Sequence, residues 1–267
     1  MKMREEDFVP YEAGLSAARG RALVFAPHPD DEVFGCCGAI IRHVEQGDEI
    51  KVVIVTDGGC KAGLGRDDPG YRDTRRMESE KAAGVLGYGR PEFLDLPDRG
   101  LQDDPGLVRQ LLAIIDDFNP ENIYLPAETE INPDHRALNS AGIRAVALYE
   151  PEVNILFYEI GQPLAPNLLH DITDIHPLVE KAMECFPSQL EVQDYRRHIN
   201  ALHSYRTFTL SREVEFAEAY LKVKSSVFKD GDLRWRNRQP LEPSRSPSES
   251  VSGEYPLISV IVRTMNS

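Results

Sequence analysis

Two short runs hold the residues best suited to chemistry. The first is His28-Pro29-Asp30-Asp31-Glu32. A catalytic zinc ion is held by imidazole nitrogens and carboxylate oxygens, with one coordination position kept open for water. His28 and Asp31 stand three apart across an expected strand-to-helix turn, a spacing that lets both side chains converge on one ion. Asp30, between them, must point elsewhere, and can reach the water rather than the metal. A carboxylate so placed can serve as general base, because zinc brings the pKa of its water down to about 7. A local reading competes: Asp at a helix start is a cap that favours the helix dipole, and a loop histidine can be hydrogen-bonded and nothing more. The second run, Asn132-Pro133-Asp134-His135, also follows an expected strand and opens a helix. His135 should therefore reach the same sheet edge as a third ligand, which a capping role for the first run does not explain.

Alternating strands and helices must position these runs. Short apolar segments at 21–26 (RALVFA) and 51–56 (KVVIVT) read as buried parallel strands, with further strands at 93–96, 122–125 and 155–160. Phe34, Cys37, Ile41 and Val44 share one helical face, and Gly47 is a good stop. A second helix is expected over 73–86. Asp104-Pro105 opens a helix carrying Leu107, Leu111, Ile115 and Phe118, and Asn132-Pro133 opens another that runs to 147. A helical region is expected over 177–202 and a polar helix over 213–223. This order gives an α/β fold, a mostly parallel sheet with helices on both faces. Sites in such sheets lie beyond the carboxyl ends of the strands, where both runs fall. No GxGxxG follows the first strand, and the run at 35–38 (GCCG) is too short for a phosphate loop, which excludes a dinucleotide site.

The chain of 267 residues is long enough for one such domain and a tail. Its formal charge of −14 excludes a nucleic-acid partner, which needs clustered basic surface. No apolar run has the length of a transmembrane span, and the first residues lack a secretory apolar core. Cys36, Cys37, Cys60 and Cys185 form no disulfide or zinc-finger spacing, so a cytoplasmic location is expected. His43, His170, His176, His198 and His203 have no partner spacing and read as structural.

HPDDE at 28–32, TDGG at 56–59, Arg75-x-x-Glu78 with Leu86-Gly87, LPD at 96–98, PDH at 133–135 and Ser188-Gln189 occur in one order. Together they resemble the PIG-L/LmbE-like N-deacetylases. The resemblance implies a Rossmann-like fold and one catalytic Zn2+ held by His28, Asp31 and His135. It makes Asp30 the general base for hydrolysis of an acetamide on an N-acetylglucosamine-type sugar or glycoconjugate. It also sets Arg75 and Asp98 near substrate hydroxyls, with Arg99 a further candidate. From the residues alone, Arg75 would pair with Glu78 on its own helix, and Asp98 would serve its turn.

One departure stands out. Well-known members of that family carry His where this chain has Asn132, and that His stabilises the oxyanion or protonates the leaving amine. Asn can donate to an oxyanion but cannot deliver a proton, and before Pro it is also a good N-cap. The leaving-group proton is then expected to travel through Asp30. A reading of another class keeps the fold and metal as a non-catalytic glycan- or metal-binding module. After a Pro/Ser-rich stretch, residues 256–266 (PLISVIVRTMN) resemble the opening strand of a family 2 glycosyltransferase. The expected organisation is a deacetylase domain over 1–236, a linker over 237–255 and the start of a second domain over 256–267, with a covalently linked glycosyltransferase as partner. The competing expectation is an extra strand of the deacetylase sheet.

Overall fold

The computed structural model describes residues 11–14, 18–60 and 68–229. In chain order the elements are β1 (Glu12–Gly14), β2 (Ala22–Ala26), α1 (Asp31–Glu45), β3 (Ile50–Thr56), α2 (Pro69–Leu86), β4 (Glu92–Leu96), α3 (Pro105–Phe118) and β5 (Asn122–Pro126). They continue with α4 (Pro133–Leu148), β6 (Asn154–Tyr158), β7 (Leu168–Asp171), α5 (His176–Met183), α6 (Pro187–Leu190), α7 (Tyr195–Tyr205), β8 (Ala217–Lys224) and α8 (Ser226–Lys229). The eight strands make one sheet in the order β1-β7-β8-β6-β5-β2-β3-β4.

β2 decides where a site can form. It is buried along its whole length and pairs in parallel with β3 on one side and β5 on the other. The strand order reverses there, so the helices leaving β2 and β5 cover opposite faces and leave a crevice at the carboxyl ends. Alternate residues of β2 feed two cores. Val24 packs with α1, α2 and α5 on one face, while Leu23 and Phe25 pack with α3 and α4 on the other. No described helix is long and apolar enough to cross a membrane.

Asp-Pro pairs start two of the helices. The Asp104 side chain accepts from the Gly106 and Leu107 amides, and Asp68 does the same for Gly70 and Tyr71. The second cap starts α2 at Pro69, four residues before the expected start at 73. The helix expected over 177–202 is broken into α5, α6 and α7, with Pro187 opening the middle piece. The polar helix expected over 213–223 is instead β8, antiparallel to both β6 and β7. Ala217, Ala219, Leu221 and Val223 alternate with Glu218, Tyr220, Lys222 and Lys224, which is a strand period once Glu218 and Tyr220 are buried. β1 and β7 were not foreseen. The expected linker and tail strand lie outside the described residues.

Buried Glu218 has a structural task. α1 leaves helical geometry at Cys36 (φ −151°, ψ 31°). The Gly38 and Ala39 amides beyond the break donate to the Glu218 carboxylate at 2.6 and 3.1 Å. A Cβ at Gly38 would lie 2.9 Å from that carboxylate and 2.4 Å from Ile172, so only glycine admits it. Burial pushes Glu218 from 4.5 to about 7, against the bonds from Tyr220 and the two amides. Glu218→Ala would orphan two buried donors and should cost at least about 2 kcal/mol in denaturant unfolding; an unchanged midpoint would rule out the capping role. Between pH 4.5 and about 7 the folded chain keeps a proton at Glu218 that the unfolded chain releases. Its contribution is therefore present at low pH and lost as pH rises through that window. Wild type should lose ground to Glu218→Gln across that range, and a pH-independent difference would contradict the assignment.

Candidate active site

The turn after β2 brings the first run together. The Asp31 amide donates to the His28 carbonyl (3.2 Å), and the Val33 and Phe34 amides donate to the Asp30 carbonyl. Asp30 takes φ 150°, ψ −27°, a conformation rarely adopted by L residues. Asp31 folds back on the turn, its Oδ2 accepting from the His28 amide at 2.9 Å. The same oxygen lies 3.0 Å from His28 Nδ1 and 3.1 Å from His135 Nε2, and the two ring nitrogens are 3.3 Å apart. All three residues are buried. They form one of two described groups of His, Asp and Glu close enough to hold a metal ion; the other is His28, Asp98 and Asp134.

Carboxylates stand behind both rings. His28 Nε2 faces Asp134 Oδ2 at 3.1 Å and Asp98 Oδ1 at 3.4 Å. His135 Nδ1 faces Glu130 Oε2 at 3.4 Å. Such partners fix ring orientation and leave the opposite nitrogen free to ligate. In the second group Asp134 has both oxygens committed, accepting from the Arg99 and Leu101 amides at 2.7 and 3.1 Å, whereas Asp31 accepts a single amide on Oδ2. The first group, whose atoms converge on one point, fits a metal better. Glu130 is pinned by the Ile160 and Gly161 amides at 2.7 and 3.0 Å.

The charge pattern agrees. Burial alone would lower His28, yet the hydrogen bonds of Asp134, Asp31 and Asp98 hold it well above the ordinary histidine value. Burial likewise opposes protonated His135, but Asp31 and Glu130 raise it to about 9. Asp31 is held low despite its burial, chiefly by His135 and then His28. The carboxylates that favour a proton on these rings would also favour a cation held between them once the rings are deprotonated.

Asp30 lies beside this group. Its Oδ1 pairs with Arg75 Nη2 at 2.9 Å, and the same nitrogen donates to the Pro29 carbonyl at 2.7 Å. Burial raises the Asp30 pKa, and Arg75 opposes it. Gly58 (φ 63°) makes room for this arrangement, since a Cβ there would meet Pro29 at 2.8 Å and Arg75 at 3.0 Å. The expected Arg75–Glu78 pair is not formed. Glu78 instead accepts from the Ser188 amide and hydroxyl at 2.9 and 2.6 Å, which ties α6 to α2. Gln189 continues that seam with a 2.6 Å bond to the Tyr71 hydroxyl.

Asp98 accepts from the Cys60 amide at 2.9 Å, linking the loops after β3 and β4. Arg99 lies exposed at the rim with a left-handed backbone (φ 60°). Asn132 caps α4, its Oδ1 accepting from the Asp134 amide at 2.9 Å. Only its amide nitrogen is left to serve a ligand. All eight residues singled out in the sequence line one cavity of about 520 Å³. The sequence reading missed Glu130, and took Asp134 only as part of a helix start. The signal for Asp134 was available, because a ligating histidine needs an acceptor behind it; Glu130 stands in no recognisable pattern.

His43, His176, Cys36 and Cys37 are held within the fold, away from this cavity. His43 is held by Asp48 and the Tyr124 hydroxyl at 2.8 and 2.9 Å, and His176 stacks on Phe216 at 3.6 Å. Burial pushes up the thiols of Cys36 and Cys37.

Residues 23–146 match the family described as PIG-L: GlcNAc-PI de-N-acetylase. A diacetylchitobiose deacetylase of Thermococcus kodakarensis is 29% identical over 189 residues, 63% of this chain and 70% of that protein. A 4-oxalmesaconate hydratase of Pseudomonas putida is 26% identical over 239 residues, 79% of this chain and 92% of that protein. The solved structure of an N,N'-diacetylchitobiose deacetylase from Pyrococcus horikoshii matches with TM-score 0.70 at 24% identity, over 78% of this chain and 85% of that one, and supports the fold. Over residues 23–146 the chain is similar to the PIG-L/LmbE-like family.

Asn132→Ala should lower stability by about 1 kcal/mol through loss of the cap. Urea unfolding measures this, and a variant as stable as the parent would remove the cap from the account.

Proposed function

We propose that the protein is a zinc-dependent N-deacetylase acting on an N-acetylglucosamine-type sugar or conjugate. The observation that carries this reading is the convergence of His28, Asp31 and His135 on one point, with Asp30 held beside them by Arg75. Two imidazoles and a carboxylate are a donor set suited to zinc. The ion, when bound there, supplies Lewis acidity to the acetyl carbonyl and to water.

The chain's own groups do the rest. Asp30 takes the proton of the water that attacks the carbonyl carbon. The carbon–nitrogen bond then breaks, Asp30 returns the proton to the leaving nitrogen, and acetate and a free amine result. Arg75 orients Asp30 and limits the effect of burial, which still raises the carboxyl to about 7, near neutrality, where it can both take up and return a proton. Asp134 and Glu130 hold the His28 and His135 rings in place. The Asn132 amide nitrogen can donate to the oxyanion, and Asp98 and Arg99 offer polar groups to sugar hydroxyls.

A second reading has one observation behind it. The hydratase relative is matched over most of its length, and a metal ion beside a general base can also add water to a carbon–carbon double bond. Acetate release separates the two. Zinc-loaded protein should release one acetate per amine from N-acetylglucosamine glycosides, and Asp30→Asn should bind zinc as wild type does yet turn over about 100- to 10,000-fold more slowly. Hydration of an unsaturated dicarboxylate without acetate release would favour the second reading. Near-parental turnover in Asp30→Asn would remove Asp30 as the base.

A further inference from the structure

The strand order sorts the walls of the cavity. The metal-ligand group sits at the end of β2. On the β3 and β4 side the wall is polar, with Cys60, Asp98 and Arg99 on the loops after those strands. On the β5 and β6 side Glu130, Asn132 and His135 lie inward with the ligand group, and the exposed outer wall is apolar. Ile131 follows β5, Ile160 follows β6, and Val192 and Tyr195 reach the same cavity from the α6–α7 segment. The Tyr195 ring stands 5.9 Å from that of Phe34, which continues the wall inward.

These side chains face solvent. Ile131 is 67% exposed, Val192 50% and Tyr195 36%, and they are three of the seven exposed large hydrophobic residues among those described. Single exposed apolar residues are ordinary, but a cluster around one cavity marks a surface meant to be covered. The cavity, about 520 Å³, is of a size that takes a drug-sized ligand, so a hexosamine leaves part of it unfilled. A second sugar or a polyol on the β5–β6 side would lose water from its hydroxyls and find no partners on Ile131 or Val192. An alkyl or aryl group there removes apolar surface from water on both partners.

We infer that the N-acetylated sugar taken by this site carries an apolar alkyl or aryl aglycone, seated against Ile131, Val192 and Tyr195. The inference rests on the deacetylase reading for the sugar, and on the β5–β6 wall for the aglycone. The test compares methyl and hexyl N-acetylglucosaminides of both anomers with N,N'-diacetylchitobiose, using zinc-loaded wild type. In parallel, calorimetry measures binding of methyl and hexyl glucosaminide, the free-amine forms. For one anomer the hexyl compound should show a KM about tenfold or more below that of the methyl compound, and its amine should bind tighter by a similar factor. The hexyl-to-methyl ratio should fall towards one in Ile131→Ser/Val192→Ser, whose changes lie at exposed positions. Equal values for hexyl and methyl, or a preference for diacetylchitobiose over hexyl, would overturn the inference. If no glycoside is deacetylated the proposed reaction fails, and the calorimetric comparison still decides the aglycone: equal affinity of the two amines overturns it.

Discussion

A single oxygen, Asp31 Oδ2, lies within hydrogen-bond distance of ring nitrogens from both His28 and His135. Around this point the fold buries Asp30, Asp31, Glu130 and Asp134 together. Buried carboxylates at such density are tolerated only with compensating charge or hydrogen bonds. The compensation comes from the two imidazoles, from Arg75 and from backbone amides of the surrounding loops. The need to balance this charge governs how the loops above β2 are built.

Each acid binds a different piece of chain. Asp134 holds the Arg99–Leu101 turn, Glu130 holds the backbone after β6, and Asp98 reaches the Cys60 amide. The loops after β3, β4, β5 and β6 are thus fastened around the end of β2 by the same carboxylates that orient the rings. Geometry and charge are coupled, so loss of one acid would both loosen a loop and alter a ring. Beneath these loops Glu218 accepts the Gly38 and Ala39 amides just beyond the break in α1, the helix whose first turn carries Asp31.

Much of this was readable in the sequence where the cause is local. The buried strands announce themselves as apolar runs, and Asp104-Pro105 and Asn132-Pro133 as caps. His28, Asp31 and His135 could be brought together because strand ends in a parallel sheet share one edge. What could not be read depends on distant partners. β8 looks like a polar helix until Glu218 finds the α1 amides and Tyr220 the core. Arg75 has an acid on its own helix, but takes Asp30 because the left-handed turn at Gly58 opens that path. Glu130 gives no signal in its own surroundings, since its partners come from β6 and α4.

Zinc-edge anomalous diffraction from crystals grown with zinc tests the charge argument directly. One strong peak is expected within bonding distance of His28 Nδ1, Asp31 and His135 Nε2, about 2.0–2.2 Å for nitrogen and oxygen ligands. Asp30 should stay paired with Arg75 outside that shell. No peak there at saturating zinc, or a peak on the far side of His28 between Asp98 and Asp134, would contradict it.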